Sequence, residues 1–343
     1  MDKNIETKEK NDEQKRGKRV RKKKRHIGLK IFIFILIVFA ILGGIYAKRV
    51  YDLEGNWLAA LLGHDKDTLK NLDKLYVLAM GESTGMSDTI IVCSYDPKTQ
   101  EASMLSIPRD TFIGDSKRNA TTSDKINALY NGGKKPEKTI EAVNELTGLN
   151  IQNYILVDTK ALVELVNTIS DGEGIEFDVP IDMKYDDYSQ DLHINLKAGM
   201  QRLNGDQVEQ LVRFRHNSNG STYSYEYGME DYGRMRTQRE VLVAIAKQTI
   251  QLKNVKEIGN IIDIAEKYVQ TNMDFKLLKD YIPYAVNINA DNIKSAQLPG
   301  ESEPVNGIWF FLHDEEETKN IVEELFTGTN EQTQTNEENN TIN

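Results

Sequence analysis

The segment IFIFILIVFAILGGIYA, Ile31 to Ala47, carries no charge and is bracketed by Lys30 and Lys48. No other stretch restricts so strongly what the chain around it can become. As a helix rising 1.5 Å per residue it covers roughly 25 Å, and snorkelling flanks extend that to a bilayer core of about 30 Å. A cleaved signal peptide is the rival reading. Its apolar region would be shorter and would end at a small-residue cleavage site, which GGIYAKR matches poorly. Residues 27–47 are therefore read as one N-terminal transmembrane helix.

The flanks orient it. KRGKRVRKKKR, Lys15 to Arg25, precedes the apolar run, and only Lys48 and Arg49 follow it closely. Cationic loops stay in the cytoplasm, so residues 1–26 form a cytoplasmic basic tail and the C-terminal part lies outside the cell. Such a tail can also be a nucleic-acid arm. Beside a membrane span, topology and anionic lipid headgroups explain it more simply. Residues 1–30 carry a net charge of +8, while the whole chain carries −10, so residues 31–343 carry −18. An exterior domain this acidic does not coat DNA. The single cysteine, Cys93 in TIIVCSY, has no intramolecular disulfide partner and reads as a small core residue.

Beyond the anchor, residues 48–73 read as a juxtamembrane stalk with one or two helical turns. Residues 74–327 read as one domain, and 328–343 as a disordered polar tail. Three strands come in quick succession, Lys74 to Met80, Asp88 to Tyr95 and Glu101 to Ile107. Their near-continuous apolar runs suit a sheet covered on both faces. Pro97 in DPKT suits a type I turn between the last two. Helical patterns follow over KPEKTIEAVNELTG, TKALVELVNTI, LNGDQVEQLVRFR, GRMRTQREVLVAIAKQTIQL, VKEIGNIIDIAEKYV and FKLLKDYIPYAVNI. Strands are expected at NYILVD and GIEFDVP, and a final one near IKSAQLP. This alternation predicts an α/β domain with helices on both faces of a central sheet.

The strand MLSIP ends at Pro108 and delivers Arg109 and Asp110 at its tip. VRFRH adds Arg213 and Arg215, and DYGRMRTQR adds Asp231, Arg234, Gln238 and Arg239. Arg234 and Gln238 are four apart and share a helix face, whereas Arg236 points elsewhere. Arginine keeps its charge and presents a planar fork to two phosphate oxygens at once, so a group of them suits a pyrophosphate. Free N–H groups where the helix starts after DYG would add to such a site. Each arginine alone is more often solvated or ion-paired. The argument rests on their joint occurrence at element ends in an acidic domain. Asp88, at a strand entry, either caps a turn or holds Mg²⁺ together with phosphate oxygens. Lys125 and Asn127 in DKINALY are placed to reach the same mouth. The sequence has no zinc-ligand spacing among its five histidines, no Walker loop, no dinucleotide fingerprint and no GxSxG elbow.

The ordered blocks SDTIIV…DPKTQEASMLSIPRDTFI, KINALYNGG, YILVD, LKAGMQRLNGDQVEQLVRFRH and DYGRMRTQRE resemble the LytR–CpsA–Psr family over about Leu75 to Lys247. The resemblance implies an α-β-α sandwich with a central mixed sheet around a greasy pocket. It also implies a Gram-positive envelope phosphotransferase. Such an enzyme moves a glycopolymer phosphate, teichoic acid or capsular or secondary wall polysaccharide, from a polyprenyl-pyrophosphate carrier to a peptidoglycan sugar hydroxyl. Carried over, Arg109, Arg213, Arg215 and Arg234 would clamp the pyrophosphate, with Gln238 and Lys125 beside them. Asp88 would bind Mg²⁺, and it or Asp231 would assist deprotonation of the hydroxyl. The partners implied are the lipid-linked glycopolymer, peptidoglycan and membrane lipid, with no nucleic acid. Two positions depart from the family pattern: Ser83 stands where an aspartate is usual and Met86 where an arginine is usual. Glu82 is a substitute for the first. These departures motivate the alternative of a non-catalytic lipid-pyrophosphate-binding envelope protein or regulator. The Tyr-rich stretch over residues 216–233 reads as a flexible lid, an acceptor-sugar surface or an ordinary surface loop.

Overall fold

The computed structural model describes residues 27–83, 86–130, 135–249, 258–286, 288–289 and 292–328, without the side chains of residues 27–38, 83, 86, 258, 259, 262 and 275. Thus Leu252, on the expected long helix, the side chains of Ser83 and Met86, and the tail over 329–343 lie outside the described residues. The chain divides into two units, Met1–Leu61 and Leu62–Asn343.

In the first unit, helix α1 (Ile27–Asp52) contains the apolar run. Phe39, Ile41, Leu42 and Ile45 stand exposed on it. Among the described residues no helix is long and apolar enough to cross a membrane. A short helix, α2 (Trp57–Leu62), follows. In the second unit, α3 (Lys66–Asn71) starts at a capping box in which Asp65 and Thr68 satisfy each other's backbone N–H groups.

The second unit is built on a mixed sheet. Its strands are β1 (Leu75–Ser83), β2 (Met86–Asp96), β3 (Glu101–Ser106), β4 (Asn153–Val157), β9 (Val269–Thr271) and β10 (Ile293–Gln297). They lie in the order β10-β3-β2-β1-β4-β9. β1 runs antiparallel to β2 and parallel to β4, and β10 is parallel to β3. The β2–β3 link is the four-residue loop Pro97 to Gln100. Gln100 at its end takes the left-handed conformation (φ 59°) and its N–H donates to Asp96 O at 2.9 Å. β2 starts at Met86, so Asp88 lies inside the strand, not at its entry.

Strand alternation sends Leu78, Met80, Ile90, Val92 and Leu105 to one face. There they pack with Ile140 and Val143 of α4 (Pro136–Thr147), with Ile126 and Tyr130, and with Val322, Leu325 and Phe326. α4 opens with Pro136 and closes where Gly148 (φ 69°) donates its N–H to Asn144 O at 2.8 Å, as its sequence predicts. Val322 ends α10 (Glu315–Val322). The other face of the sheet meets α5 (Thr159–Ile169), which packs on β1, and α7 (Asp231–Thr249), which packs on β3 and β10. The layering is helix, mixed sheet, helix. The remaining helices of the expected set are α6 (Gly205–Arg213), α8 (Ile258–Tyr268) and α9 (Phe275–Ala285).

Apart from the strand expected at GIEFDVP, several elements had no clear sequence signal. Two antiparallel ribbons lie beside α5 to α7, with β5 (Ile175–Val179) paired to β8 (Gly199–Leu203) and β6 (Met183–Asp187) paired to β7 (Leu192–Leu196). Their inner residues, including Phe177, Ile194 and Leu203, share a second core with Val166, Leu211 and Val241. The strand at Ile293–Gln297 is not the last. β11 (Gly300–Val305) and β12 (Ile308–His313) form a hairpin after it, and α10 follows. The short, polar β11 sequence GESEPV hid the hairpin from pattern reading.

Candidate active site

The tip of β3 is stapled in place. Asp110 O accepts from Phe311 N–H at 2.9 Å, and Arg109 O accepts from Asn127 N–H at 3.2 Å. From this fixed turn the Arg109 guanidinium ion-pairs with Asp88 through Nη1, and its Nε lies 4.0 Å from Asp110 Oδ2. Lys125 Nζ holds Asp110 at 2.8 Å, so it stands one carboxylate away from Arg109.

The other arginines arrive from two helices. α6 starts at the Asn204–Gln207 capping box and ends at Arg213. Arg213 is held by Glu209 Oε1 and by Gln190 Oε1, each at 3.2 Å. α7 begins at Asp231, two residues before the expected start. The N–H groups of Tyr232 and Arg234 donate to Met229 O and Glu230 O, so these two are not free for an anion. Asp231 Oδ1 lies 2.6 Å from Arg234 Nη2 and 3.2 Å from Arg215 Nε. Gln238, one turn on from Arg234, donates to Val212 O at 3.0 Å and ties α7 to the end of α6. Arg236 turns away, paired with Glu240 at 2.9 Å and stacked over Tyr227.

These groups meet at one cavity of about 540 Å³. Arg109, Arg213, Arg215, Arg234 and Gln238 all line it, as do Asp88 and Glu82. Its floor is apolar: Ala79 and Ile91 from the sheet, Leu162 from α5, Val241 and Leu242 from α7. Asp231 touches the cluster from behind the lining, and Lys125 is outside it. Arg234 is only 7% exposed, and its Nε has no hydrogen-bond partner. Burial lowers its pKa; Asp231 opposes that, and Arg109 and Arg215 add repulsion. Arg109 is also pulled down by burial, but Asp231, Asp88 and Asp110 outweigh it and hold its pKa above the ordinary value. Crowded cations with spare donors around an apolar hollow suit an amphiphile with an anionic head.

Residues that sequence reading passed over also line the cavity, among them Tyr185, Gln190, Leu192 and His216. Tyr185 and His216 meet edge to face at 5.3 Å. Their only available signal was position, next to a strand whose existence was itself unmarked. Glu82 follows a register shift at Gly81 and accepts a 2.6 Å hydrogen bond from Tyr130, a fully buried side chain. Burial and the bond to Glu82 raise the Tyr130 pKa, so the hydroxyl keeps its proton. The Tyr-rich stretch is not a loose lid. Tyr223 is buried edge-on to Phe214 and stacked on Tyr227, whose hydroxyl donates to Glu240 at 2.7 Å.

Among the described residues no group of three or more His, Cys, Asp or Glu could hold a metal by itself. Asp88 and Glu82 on one cavity wall do fit Mg²⁺, which commonly takes one or two carboxylates and completes its shell with phosphate oxygens and water.

The chain is similar to known proteins along most of its length. It is 27% identical over 316 residues to the polyisoprenyl-teichoic acid–peptidoglycan teichoic acid transferase TagU of Oceanobacillus iheyensis, covering 85% of this chain and 91% of that one. It is 26% identical over 309 residues to biofilm regulatory protein A of Streptococcus mutans, covering 82% of this chain and 72% of that one. The crystal structure of B. subtilis TagV superposes with a TM-score of 0.59 at 26% identity, over 75% of this chain and 99% of that one. With the LytR_cpsA_psr family matching residues 7–327, the chain belongs to that family.

Proposed function

We propose that this protein is a membrane-anchored phosphotransferase that moves a glycopolymer phosphate from a polyprenyl-pyrophosphate carrier to a peptidoglycan sugar hydroxyl. The observation that carries the reading is the convergence of Arg109, Arg213, Arg215 and Arg234 on one apolar-floored cavity. The relative named as a teichoic acid transferase supports it.

The apolar floor takes the start of the prenyl tail, and the guanidinium groups take the diphosphate. The acceptor hydroxyl oxygen attacks the phosphorus that carries the glycopolymer. That P–O bond forms as the bond to the bridging oxygen breaks, and prenyl phosphate leaves with the electron pair. The hydroxyl proton passes to a carboxylate of the cluster, Asp88 on the cavity wall or Asp231 behind it. Positioned cations that neutralise charge in the transition state do most of the work in such a transfer. Mg²⁺, with Asp88 as its protein ligand, would add further neutralisation at the diphosphate. Glu82, fixed by Tyr130, stands in the same wall. Gln238 positions Arg234 by tying its helix to α6, and Lys125 acts on Arg109 through Asp110.

The anchor reading rests on the uncharged run in α1 and on exposed Phe39, Ile41, Leu42 and Ile45, which suit lipid better than water. The basic N-terminal flank supports a cytoplasmic N-terminus and a catalytic domain in the Gram-positive envelope. An anchored domain meets a lipid-linked donor at high effective concentration.

The test is turnover of a polyprenyl-pyrophosphate glycan onto peptidoglycan. Arg109→Ala should lower it by about 10²- to 10³-fold, and normal turnover by that variant defeats the assignment. A non-catalytic regulator is the second reading, favoured by the name of the S. mutans relative and by Ser83 and Met86. It predicts lipid binding with no Mg²⁺-dependent turnover.

A further inference from the structure

A second cavity, of about 520 Å³, lies beside the first and has a different chemistry. Strand β6 separates them. Tyr185 points into the arginine-lined cavity, while its neighbours Lys184 and Asp186 point out into the second. The paired strand β7 presents His193 and Asn195 on that same outer face, and Asp186 holds His193 Nδ1 at 2.8 Å.

A tight hairpin completes the wall. His216 bridges to Thr222, and Gly220 turns the chain with φ 84°. Ser218 N–H donates to Lys184 O at 3.0 Å, and Asn217 Nδ2 donates to Asp182 O at 3.1 Å, which pins the hairpin along the free edge of β6. The cavity wall thus carries the amides of Asn195, Asn217 and Asn219 and the hydroxyls of Ser218 and Ser221, beside two aspartates, two lysines and a few apolar side chains. At the ribbon's turn Tyr188 is 85% exposed, with its ring edge-on to His193 at 5.3 Å. The turn is stiff: Asp187 accepts from the N–H groups of Ser189 and Gln190, from the Ser189 hydroxyl and from the Gln190 amide. Gln190 in this same turn holds Arg213 at the mouth of the first cavity.

We infer that the outer face of the β6–β7 ribbon, from Tyr188 along His193 and Asn195 to the Asn217–Thr222 hairpin, binds an uncharged glycan strand. The inference rests on the transferase reading, in which the uncharged sugar backbone of the acceptor is that strand. Side-chain amides and hydroxyls match the paired donors and acceptors of sugar hydroxyl and acetamido groups, and an exposed aromatic ring on a hydrogen-bonded turn offers an apolar platform for a sugar face. The charges favour a neutral sugar chain over the polyanionic polymer of the reaction. The face holds Asp182 and Asp186 against Lys184 and Lys197, has no arginine, and carries Asp191 at its turn. A polyol-phosphate chain would meet carboxylates there and no guanidinium fork. A strand lying along the ribbon reaches the turn that carries Gln190, which brings its hydroxyls to the edge of the arginine cluster.

The test is calorimetric titration of the full-length protein in detergent with soluble, uncharged oligomers of N-acetylglucosamine, which present the hydroxyl and acetamido groups of the acceptor backbone. Poly(glycerol phosphate) serves as the second arm. Strands should bind wild type, and Tyr188→Ala and Asn195→Ala should each weaken binding roughly tenfold. Arg109→Ala should bind strands as wild type does, and the polyanion should not compete. In the transfer reaction Tyr188→Ala should raise the acceptor KM and leave kcat and the donor KM in place. Unchanged binding in both ribbon variants, no strand binding by wild type, or displacement of strands by the polyanion overturns the inference. Strand binding that Tyr188→Ala weakens, in a protein that transfers nothing, keeps the inference and removes the transferase reading. Transfer by wild type with an unaltered acceptor KM in both variants does the reverse.

Discussion

The two faces of the central sheet are made by the same strands and end up unlike each other. On one, Leu78, Met80, Ile90, Val92 and Leu105 close against α4, the segment around Ile126 and the C-terminal helix, and all five are essentially unexposed. On the other, Ala79, Gly81, Thr89 and Ile91 face a hollow. Small side chains on the strands leave the space, and α5 and α7 lean against a second core made with the ribbons instead of collapsing onto the sheet. A closed face earns stability by filling volume; the open face gives some of that up to keep a cavity. In β1 the contrast is one residue wide, between Leu78 and Ala79.

That pair is the sharpest way to break the comparison. Leu78→Ala should cost about 2–5 kcal/mol, the usual range for emptying a sealed core site, read as a loss of denaturation midpoint. Ala79→Leu should change stability by less than about 1 kcal/mol, because it grows into space instead of into a packed layer. It should nevertheless abolish binding of a prenyl-pyrophosphate donor. Equal destabilisation by the two would show that the second face is as tightly packed as the first.

A smaller effect is expected where the open face meets α7. A Cβ on Gly233 would lie 2.2 Å from the Tyr223 ring and 2.3 Å from Gly228 O. Gly233→Ala should therefore cost about 1–3 kcal/mol. It should also lower turnover more than stability alone explains, since Arg234 follows directly. Turnover per folded molecule, measured well below the melting temperature, separates the two.

The smallest effect belongs to neither face. His64 is buried beside Tyr284, with Nε2 3.7 Å from Asp280. Burial lowers its pKa from 6.5, and Asp280 opposes this without overcoming it. The unfolded chain then binds the proton more readily. The stabilising contribution of neutral His64 is fully present above 6.5 and is lost as pH falls toward the folded value. His313 has the same sign, again with burial first. His64→Gln should flatten the fall of the melting temperature below pH 6.5. An unchanged slope would assign the acid sensitivity elsewhere, and any pH dependence of turnover that survives in the variant belongs to the cavity.

Much of the fold was legible because its signals are local. Pro136 and Gly148 bound α4, Asn204 caps α6, and apolar runs mark β1 to β3; Asp158, read as the end of a strand, instead caps α5. β6 to β8 were not legible. β7 alternates Leu192, Ile194 and Leu196 with polar residues over only five positions, and β6 and β8 each bury a single residue fully, Met183 and Leu203, so these short segments stand out little from loop. β11 is polar and becomes a strand only because β12 pairs with it. The arginines were legible as a set of types, but their partners were not. Asp231 was expected near the chemistry and stands between Arg215 and Arg234; Lys125 was expected on the anion and is held by Asp110.

What the amino-acid order determined by itself is therefore short-range: where helices start and stop, which strand residues face together, and where the uncharged run of α1 lies. Each depends on residues within a few positions of one another. Only the tertiary structure decided that Arg109, at the end of β3, shares a wall with Arg213, Arg215 and Arg234, about a hundred residues later. It also decided that Glu82 meets Tyr130 and that Tyr185 and His216 close the gap between two cavities. Those meetings are fixed by sheet order and by how far helices stand off a sheet, and both are set by the packing of the whole core.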